Sequence, residues 1–147
     1  MHLIIRHKRE NLKKCSLTPL QDRKNLTFIR YPFNKPPSLA GYTILTGGAP
    51  VLESAEALCL IDATWILADI IDKSLDPYAR RRSLPPGFVT AYPRKQTGCF
   101  DPLAGLASVE ALYVAYHILG FDTTGILDNY YWKQLFLEAN SQLLFNK

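Results

Sequence analysis

The sequence predicts an α/β domain with a mainly parallel sheet flanked by helices, and three observations predict it. Short apolar runs that read as strands alternate with amphipathic stretches of helical period, the pattern of strand–crossover–strand units. The chain has 147 residues, the length of one domain, and no internal repeat or low-complexity tract divides it. Its composition is ordinary for a globular protein, with 48% hydrophobic and 20% charged residues. A chain of this length buries about 70% of its unfolded surface, so its core needs neither a disulfide nor a metal to hold it.

In chain order, His2–Arg6, Leu26–Tyr31 and Tyr42–Leu45 read as strands from their concentration of Ile, Leu, Phe, Thr and Tyr. Between the last two, Tyr31-Pro32-Phe33-Asn34-Lys35-Pro36-Pro37-Ser38 is a stiff connection, because its three prolines cannot donate to a central ladder. Thr46-Gly47-Gly48-Ala49-Pro50 is a glycine loop, followed by a short helix at Leu52–Ala57 and a strand at Leu58–Ile61. An amphipathic helix runs from Thr64 to Leu75, with Trp65, Ala68, Ile71 and Asp72 marking its period. Asp76–Gly87 is turn-rich and holds the Arg80-Arg81-Arg82 run, and Phe88–Tyr92 reads as a further strand. Arg94–Gly105 is a long loop, of the kind that often carries function. The next helix spans Ser108–Leu119, with Ser108 as cap, Glu110 against the positive end of the dipole and Gly120 at the stop. Thr124–Asn129 and Tyr131–Leu144 complete the chain as helices, the last with Trp132, Leu135, Phe136, Ala139 and Leu143 on one face.

Several classes are excluded. Cys15, Cys59 and Cys99 form no CxxC, and His2, His7 and His117 have no ligand spacing, so no metal is expected. No apolar run approaches the ~18–20 residues of a membrane span, and the first ten residues contain no signal-peptide core. The expected setting is a cytoplasmic protein without membrane partners.

Charge is unevenly spread. Residues 1–35 hold nine basic and two acidic residues, while the rest of the chain is mildly acidic, and the whole carries +4. The chain is expected to be one domain, with a basic N-terminal part at 1–40 and the remainder at 41–147. Such a patch attracts phosphate backbones through counterion release, although a solvated basic face has the same composition. Ligands of parallel sheets bind at the carboxyl ends of strands, which singles out Thr46–Pro50, Asp62–Trp65 and Tyr92–Ser108. Pattern alone supplies a pocket there and no chemistry.

Four segments in order supply a family. Lys13-Lys14-Cys15-Ser16 with Leu20, Leu60-Ile61-Asp62-Ala63-Thr64-Trp65, Leu106-Ala107-Ser108-Val109-Glu110-Ala111-Leu112 and Trp132-Lys133-Gln134-Leu135-Phe136-Leu137-Glu138-Ala139-Asn140 span most of the chain. Together they resemble the ribosomal-RNA aminocarboxypropyltransferases and the related DTW-domain proteins. Two departures stand out. Tyr92-Pro93-Arg94-Lys95-Gln96-Thr97 is closer to the DTW branch, which acts on tRNA, and Lys133 stands where the ribosomal branch has glycine.

The resemblance implies a SPOUT-like fold with a knotted backbone at the cofactor site. It implies S-adenosylmethionine as cofactor and transfer of its 3-amino-3-carboxypropyl group to N3 of a uridine or modified uridine in tRNA or rRNA, by a monomer. The cofactor-binding set it implies is Ser16, Asp62, Trp65, Tyr92, Leu106 and Ser108, with Asp62 also the catalytic candidate. Lys8, Arg9, Lys13, Lys14, Arg94 and Lys95 are the candidates for RNA phosphates, and Arg80–Arg82 either joins them or forms a solvated turn.

Each residue also has a purely structural reading. Asp62, Ser16 and Ser108 are all helix-cap types, and Trp65, Tyr92 and Leu106 are all core types. Glu110 complements its helix dipole, and Cys15 has no base beside it to make a nucleophile. Two other functions suit the same features: a SPOUT-type RNA methyltransferase, and a non-catalytic RNA-binding or ribosome-assembly factor.

Overall fold

The computed structural model describes residues 1–8, 16–92 and 106–145, with Trp65 described by its backbone alone. Strands β1 (His2–His7), β2 (Leu26–Tyr31), β3 (Tyr42–Leu45), β4 (Ala57–Asp62) and β5 (Arg80–Arg82) form one sheet in the order β2-β1-β4-β3-β5. Every pairing is parallel. Helix α1 (Trp65–Ser74) follows β4, and α2 (Ser108–Leu119), α3 (Lys133–Ala139) and α4 (Ser141–Phe145) close the chain.

Every residue of β1 is buried, as expected of a strand with both faces covered. Alternation sorts the strands onto two cores. Ile4, Leu58 and Leu60 face Val109, Leu112 and Ala115 of α2 and, beyond them, Phe136. Leu3, Ile5, Ile44 and Cys59 face Ile71 of α1 and Leu75. Each aliphatic side chain buried to this degree contributes roughly 1.5–3 kcal/mol relative to exposure. α2 stops at Gly120, whose φ of 76° is left-handed. Its last turn is closed by the amide of Phe121 donating to the carbonyl of Tyr116.

Four expectations fail, each because backbone groups find other partners. No helix forms at Leu52–Ala57. Instead the Leu52 amide donates to the Ser83 carbonyl and the Ser83 amide to the Pro50 carbonyl, extending the sheet edge. The fifth strand is Arg80–Arg82 rather than Phe88–Tyr92. Two of its arginines reach acceptors on neighbouring elements: Arg80 Nη1 donates to Thr43 Oγ1 at 2.6 Å, and Arg81 Nε pairs with Asp72 at 2.9 Å. The run is a strand anchored by these two side chains, not a solvated turn.

At 88–92 the ladder is replaced by side chains. The Val89 amide donates to Asn140 Oδ1 at 2.8 Å and its carbonyl accepts from Asn140 Nδ2 at 2.9 Å, so one side-chain amide acts as the neighbouring strand. Asn140 Nδ2 also bonds the Phe136 carbonyl, and the predicted helix Tyr131–Leu144 divides there into α3 and α4. Of its predicted apolar face, Phe136 is fully buried while Leu135 and Leu143 are exposed. Thr124–Asn129 is a series of turns, with Gly125 at a φ of 82° and the carbonyls of Asp122 and Thr124 taken by Arg23.

Candidate functional site

β1 and β4 are adjacent, but neither is followed in the chain by the other. After β1 the chain crosses to β2 on one side, and after β4 it crosses to β5 on the other. Such a divergence opens a crevice at the carboxyl ends of the two strands. Arg6 of β1 and Asp62 of β4 are register partners there. Both share the parity of Ile4 and Leu60, so both face α2.

Their side chains are 5% and 6% exposed and form an ion pair, Arg6 Nε to Asp62 Oδ2 at 3.2 Å. Ser108 Oγ donates to the other carboxylate oxygen, Asp62 Oδ1, at 2.6 Å. Arg6 Nη2 donates to Thr18 Oγ1 at 3.3 Å, and the guanidinium carbon lies 4.6 Å from the centroid of the Phe28 ring. Asp62 does not cap α1. The N-cap is Thr64, and its side chain makes no capping bond.

The start of α2 completes the cluster. Its N-cap is Ala107, not Ser108, and alanine offers no side-chain acceptor. Ser16 takes that role from outside the helix: its Oγ accepts the Val109 amide at 3.2 Å. Ser16, Ser108 and Asp62 are therefore neighbours, as their inclusion in one candidate set requires, and Arg6 and Thr18 join them.

Glu110 is fully buried and accepts four hydrogen bonds. Oε1 receives the Thr90 hydroxyl at 2.6 Å and the Ala107 amide at 2.7 Å, and Oε2 receives the Ala91 amide at 2.9 Å and the Tyr130 hydroxyl at 3.0 Å. Dipole complementarity is the smaller part of its role. It ties together the two backbone stretches that carry Tyr92 and Leu106, each one residue from an amide it holds. Tyr92 is half-buried, with its ring 5.0 Å from Trp132 in an edge-on contact, and Leu106 packs against the α2-side core.

Trp65 opens α1 three residues after Asp62. Lys8 is exposed just beyond β1, its amide donating to the Tyr31 carbonyl at 2.8 Å. Arg9, Lys13, Lys14, Arg94 and Lys95 lie outside the described residues. Among the described residues no group of His, Cys, Asp or Glu is arranged to hold a metal ion, and no helix is long and apolar enough to cross a membrane. Burial pushes the Cys59 thiol up to about 12, so it carries no thiolate at neutral pH.

Sequence reasoning missed Arg6, Thr18 and the role of Glu110. The signal for Arg6 was present: a guanidinium occupies a core parity position in an otherwise apolar strand. Thr18 gave none, and of the partners of Glu110 only the Ala107 amide is local, the other three lying 19–20 residues away.

The chain resembles two characterised proteins. It is 31% identical over 104 residues to the 16S rRNA aminocarboxypropyltransferase of Thermoplasma acidophilum, a match covering 69% of this chain and 60% of that protein. The chain thus matches less than two thirds of the length of that relative. Its fold is that of the SAM-dependent rRNA:acp-transferase Tsr3 from Vulcanisaeta distributa, with a TM-score of 0.71 and 22% identity over 97% of this chain and 80% of that one. No family model matches the chain.

Proposed function

We propose that the chain is an rRNA aminocarboxypropyltransferase, moving the 3-amino-3-carboxypropyl group of S-adenosylmethionine to N3 of a uridine or modified uridine. The observation that carries this reading is the cluster at the carboxyl edge of β1 and β4. Asp62, Ser108 and Ser16 meet there in a chain whose curated relative and structural neighbour are both described as rRNA aminocarboxypropyl (acp) transferases. Both descriptions name rRNA, which favours rRNA over tRNA as the acceptor.

The residues suit the cofactor chemically. Asp62 offers an anion to an α-ammonium group, and the Ser16 and Ser108 hydroxyls stand at the α2 N-terminus, where a carboxylate is favoured. Tyr92, Trp132 and Leu106 offer flat and apolar surface of the kind an adenine ring packs on. Trp65, three residues beyond Asp62, is the candidate for the wall near the sulfonium.

S-adenosylmethionine supplies a sulfonium-activated carbon. Transfer forms the bond from uridine N3 to that carbon, breaks the carbon–sulfur bond and releases methylthioadenosine and the N3 proton. The chain's own residues then have mainly an orienting task. Asp62 and the serines fix the amino-acid half, which selects the propyl carbon over the methyl for attack. Lys8, Arg9, Lys13, Lys14, Arg94 and Lys95 hold phosphates around an unstacked nucleotide. In this reading the protein works as a cytoplasmic monomer with a SPOUT-like backbone knotted beside the cofactor, a path that an experimental structure with the cofactor bound tests.

The deciding experiment incubates the purified chain with S-adenosylmethionine and small-subunit rRNA and analyses the nucleosides by mass spectrometry. An aminocarboxypropyl adduct on uridine is the expected product. A methyl adduct identifies a methyltransferase instead, and unmodified RNA with no cofactor binding leaves an RNA-binding protein.

A further inference from the structure

Arg6 breaks the pattern of its own strand. Ile4, two residues earlier on the same face, is fully buried, and Arg6 itself is only 4% exposed. Its guanidinium is held on three sides: by Asp62 Oδ2 at 3.2 Å, by Thr18 Oγ1 at 3.3 Å and by the Phe28 ring at 4.6 Å. A planar fork with those three contacts has one orientation.

Stability does not account for it. Desolvating a buried ion pair costs about as much as the attraction returns, and two apolar side chains in its place serve a fold as well or better. What the pair does provide is an immobile carboxylate. Asp62 is gripped through Oδ2 by Arg6 and through Oδ1 by Ser108 at 2.6 Å, at the carboxyl edge where the two strands part.

We infer that Arg6 is a positioning residue that holds Asp62 in the orientation needed to receive the α-ammonium of the cofactor's amino-acid half, an inference that rests on the aminocarboxypropyl-transfer reading. Arg6 touches neither cofactor nor acceptor and acts through Asp62. Its effect is therefore confined to ligands that carry the amino-acid half.

Calorimetry with two ligands tests this: S-adenosylmethionine, and methylthioadenosine, which lacks the aminocarboxypropyl group. The proteins are the parent chain, Arg6→Met, Asp62→Asn and the double variant. Arg6→Met is expected to weaken S-adenosylmethionine binding about tenfold or more, the scale of one charge-assisted hydrogen bond, with methylthioadenosine affected less than about twofold. In the Asp62→Asn background the same change is expected to add little further loss.

Equal losses for both ligands, or losses that simply add in the double variant, overturn the inference, because both mark a general disturbance of the crevice. If Arg6→Met does not fold, Arg6→Lys carries the comparison, since lysine keeps the charge but cannot reach Asp62 and Thr18 together. A parent chain that binds neither ligand overturns the functional reading and the inference with it. A parent that binds S-adenosylmethionine, with Arg6 variants that bind it equally well, overturns the inference alone.

Discussion

The Ser16 hydroxyl oxygen accepts the Val109 amide at 3.2 Å across a separation of 93 residues. Helix α2 begins at an alanine that cannot cap it, and the missing acceptor comes from the far end of the chain. The basic N-terminal part and the C-terminal helices are thereby joined at the crevice where Arg6 meets Asp62.

Ser16→Ala leaves the Val109 amide without that acceptor, and a lost cap costs about 1 kcal/mol. Urea unfolding is expected to show a lower midpoint at unchanged slope. Ser16→Thr keeps the oxygen and is expected to retain most of the stability. A Ser16→Ala midpoint equal to that of the parent removes the capping role.

Asp62→Asn tests whether Asp62 serves transfer as well as the fold. Were Asp62 the cap of α1, asparagine would serve about as well. Since it is instead the partner of buried Arg6, removing its charge leaves a guanidinium uncompensated, and the melting temperature is expected to fall. Transfer onto rRNA, measured in single turnovers at a temperature where the variant remains folded, is expected to fall much further than the folded fraction does. A folded variant as fast as the parent returns Asp62 to a structural role alone.

The parts of this molecule legible in sequence are those set by local pattern. β2 and β3 fall on their predicted residues, and β1, β4, α1 and α2 within a residue or so of their predicted ends, because periodicity and the Gly120 stop are local signals. The misreadings share one cause. At Val89, Asn140, Ser83 and Arg80 the backbone or side chain is satisfied by a group distant in sequence, and nothing local announces it. Arg80–Arg82 is the plainest case, three charges made a strand by pairing with β3, with Arg80 held by Thr43 and Ser54 and Arg81 by Asp72. At the candidate site the motif residues Ser16, Asp62 and Ser108 converge, but Arg6 lies outside every motif and only the register of β1 against β4 reveals it.

Glu110 is a fully buried carboxylate, and its four donors make it sensitive to a change of one atom. Glu110→Gln puts an NH2 where an acceptor is required, facing two donors that then lack a partner. Each unsatisfied buried donor costs about 1–3 kcal/mol, so a loss of about 2–6 kcal/mol is expected in denaturant unfolding. Because Ala91 and Ala107 adjoin Tyr92 and Leu106, the surviving folded protein is also expected to bind methylthioadenosine more weakly. An unchanged unfolding midpoint contradicts the observed bonding.

His2 couples the fold to pH. Its Nδ1 accepts the Leu58 amide at 3.0 Å, so that nitrogen carries no proton, and the ring packs 5.0 Å from Tyr116 and 4.9 Å from Phe121. Burial lowers its pKa from 6.5 to about 4. Between those values the unfolded chain binds a proton that the folded chain refuses, so the His2 contribution is full above about pH 6.5 and declines as the pH falls toward 4. His2→Asn keeps an acceptor for Leu58 and removes the titration. The difference in urea midpoint between parent and variant is expected to shrink or reverse as the pH drops through this window, and a constant difference excludes His2 as its source.

The basic N-terminal part gives the last prediction, because a phosphate track and a solvated face respond differently to salt. Each phosphate contact releases condensed counterions, so log affinity falls with log salt by about 0.7–0.9 per contact. Lys8 is exposed beside the crevice, and Lys13 and Lys14 follow it in the basic segment. If all three grip the backbone, reversing them to Glu weakens rRNA binding at low salt and reduces the slope by about 2 or more. S-adenosylmethionine affinity, set deeper in the crevice, is expected to change little, which distinguishes loss of an RNA contact from damage to the fold. Filter binding across a salt series, with calorimetry on the same variant, makes the measurement. A slope unchanged by the triple reversal assigns these lysines to solvent and moves the phosphate contacts to other basic residues.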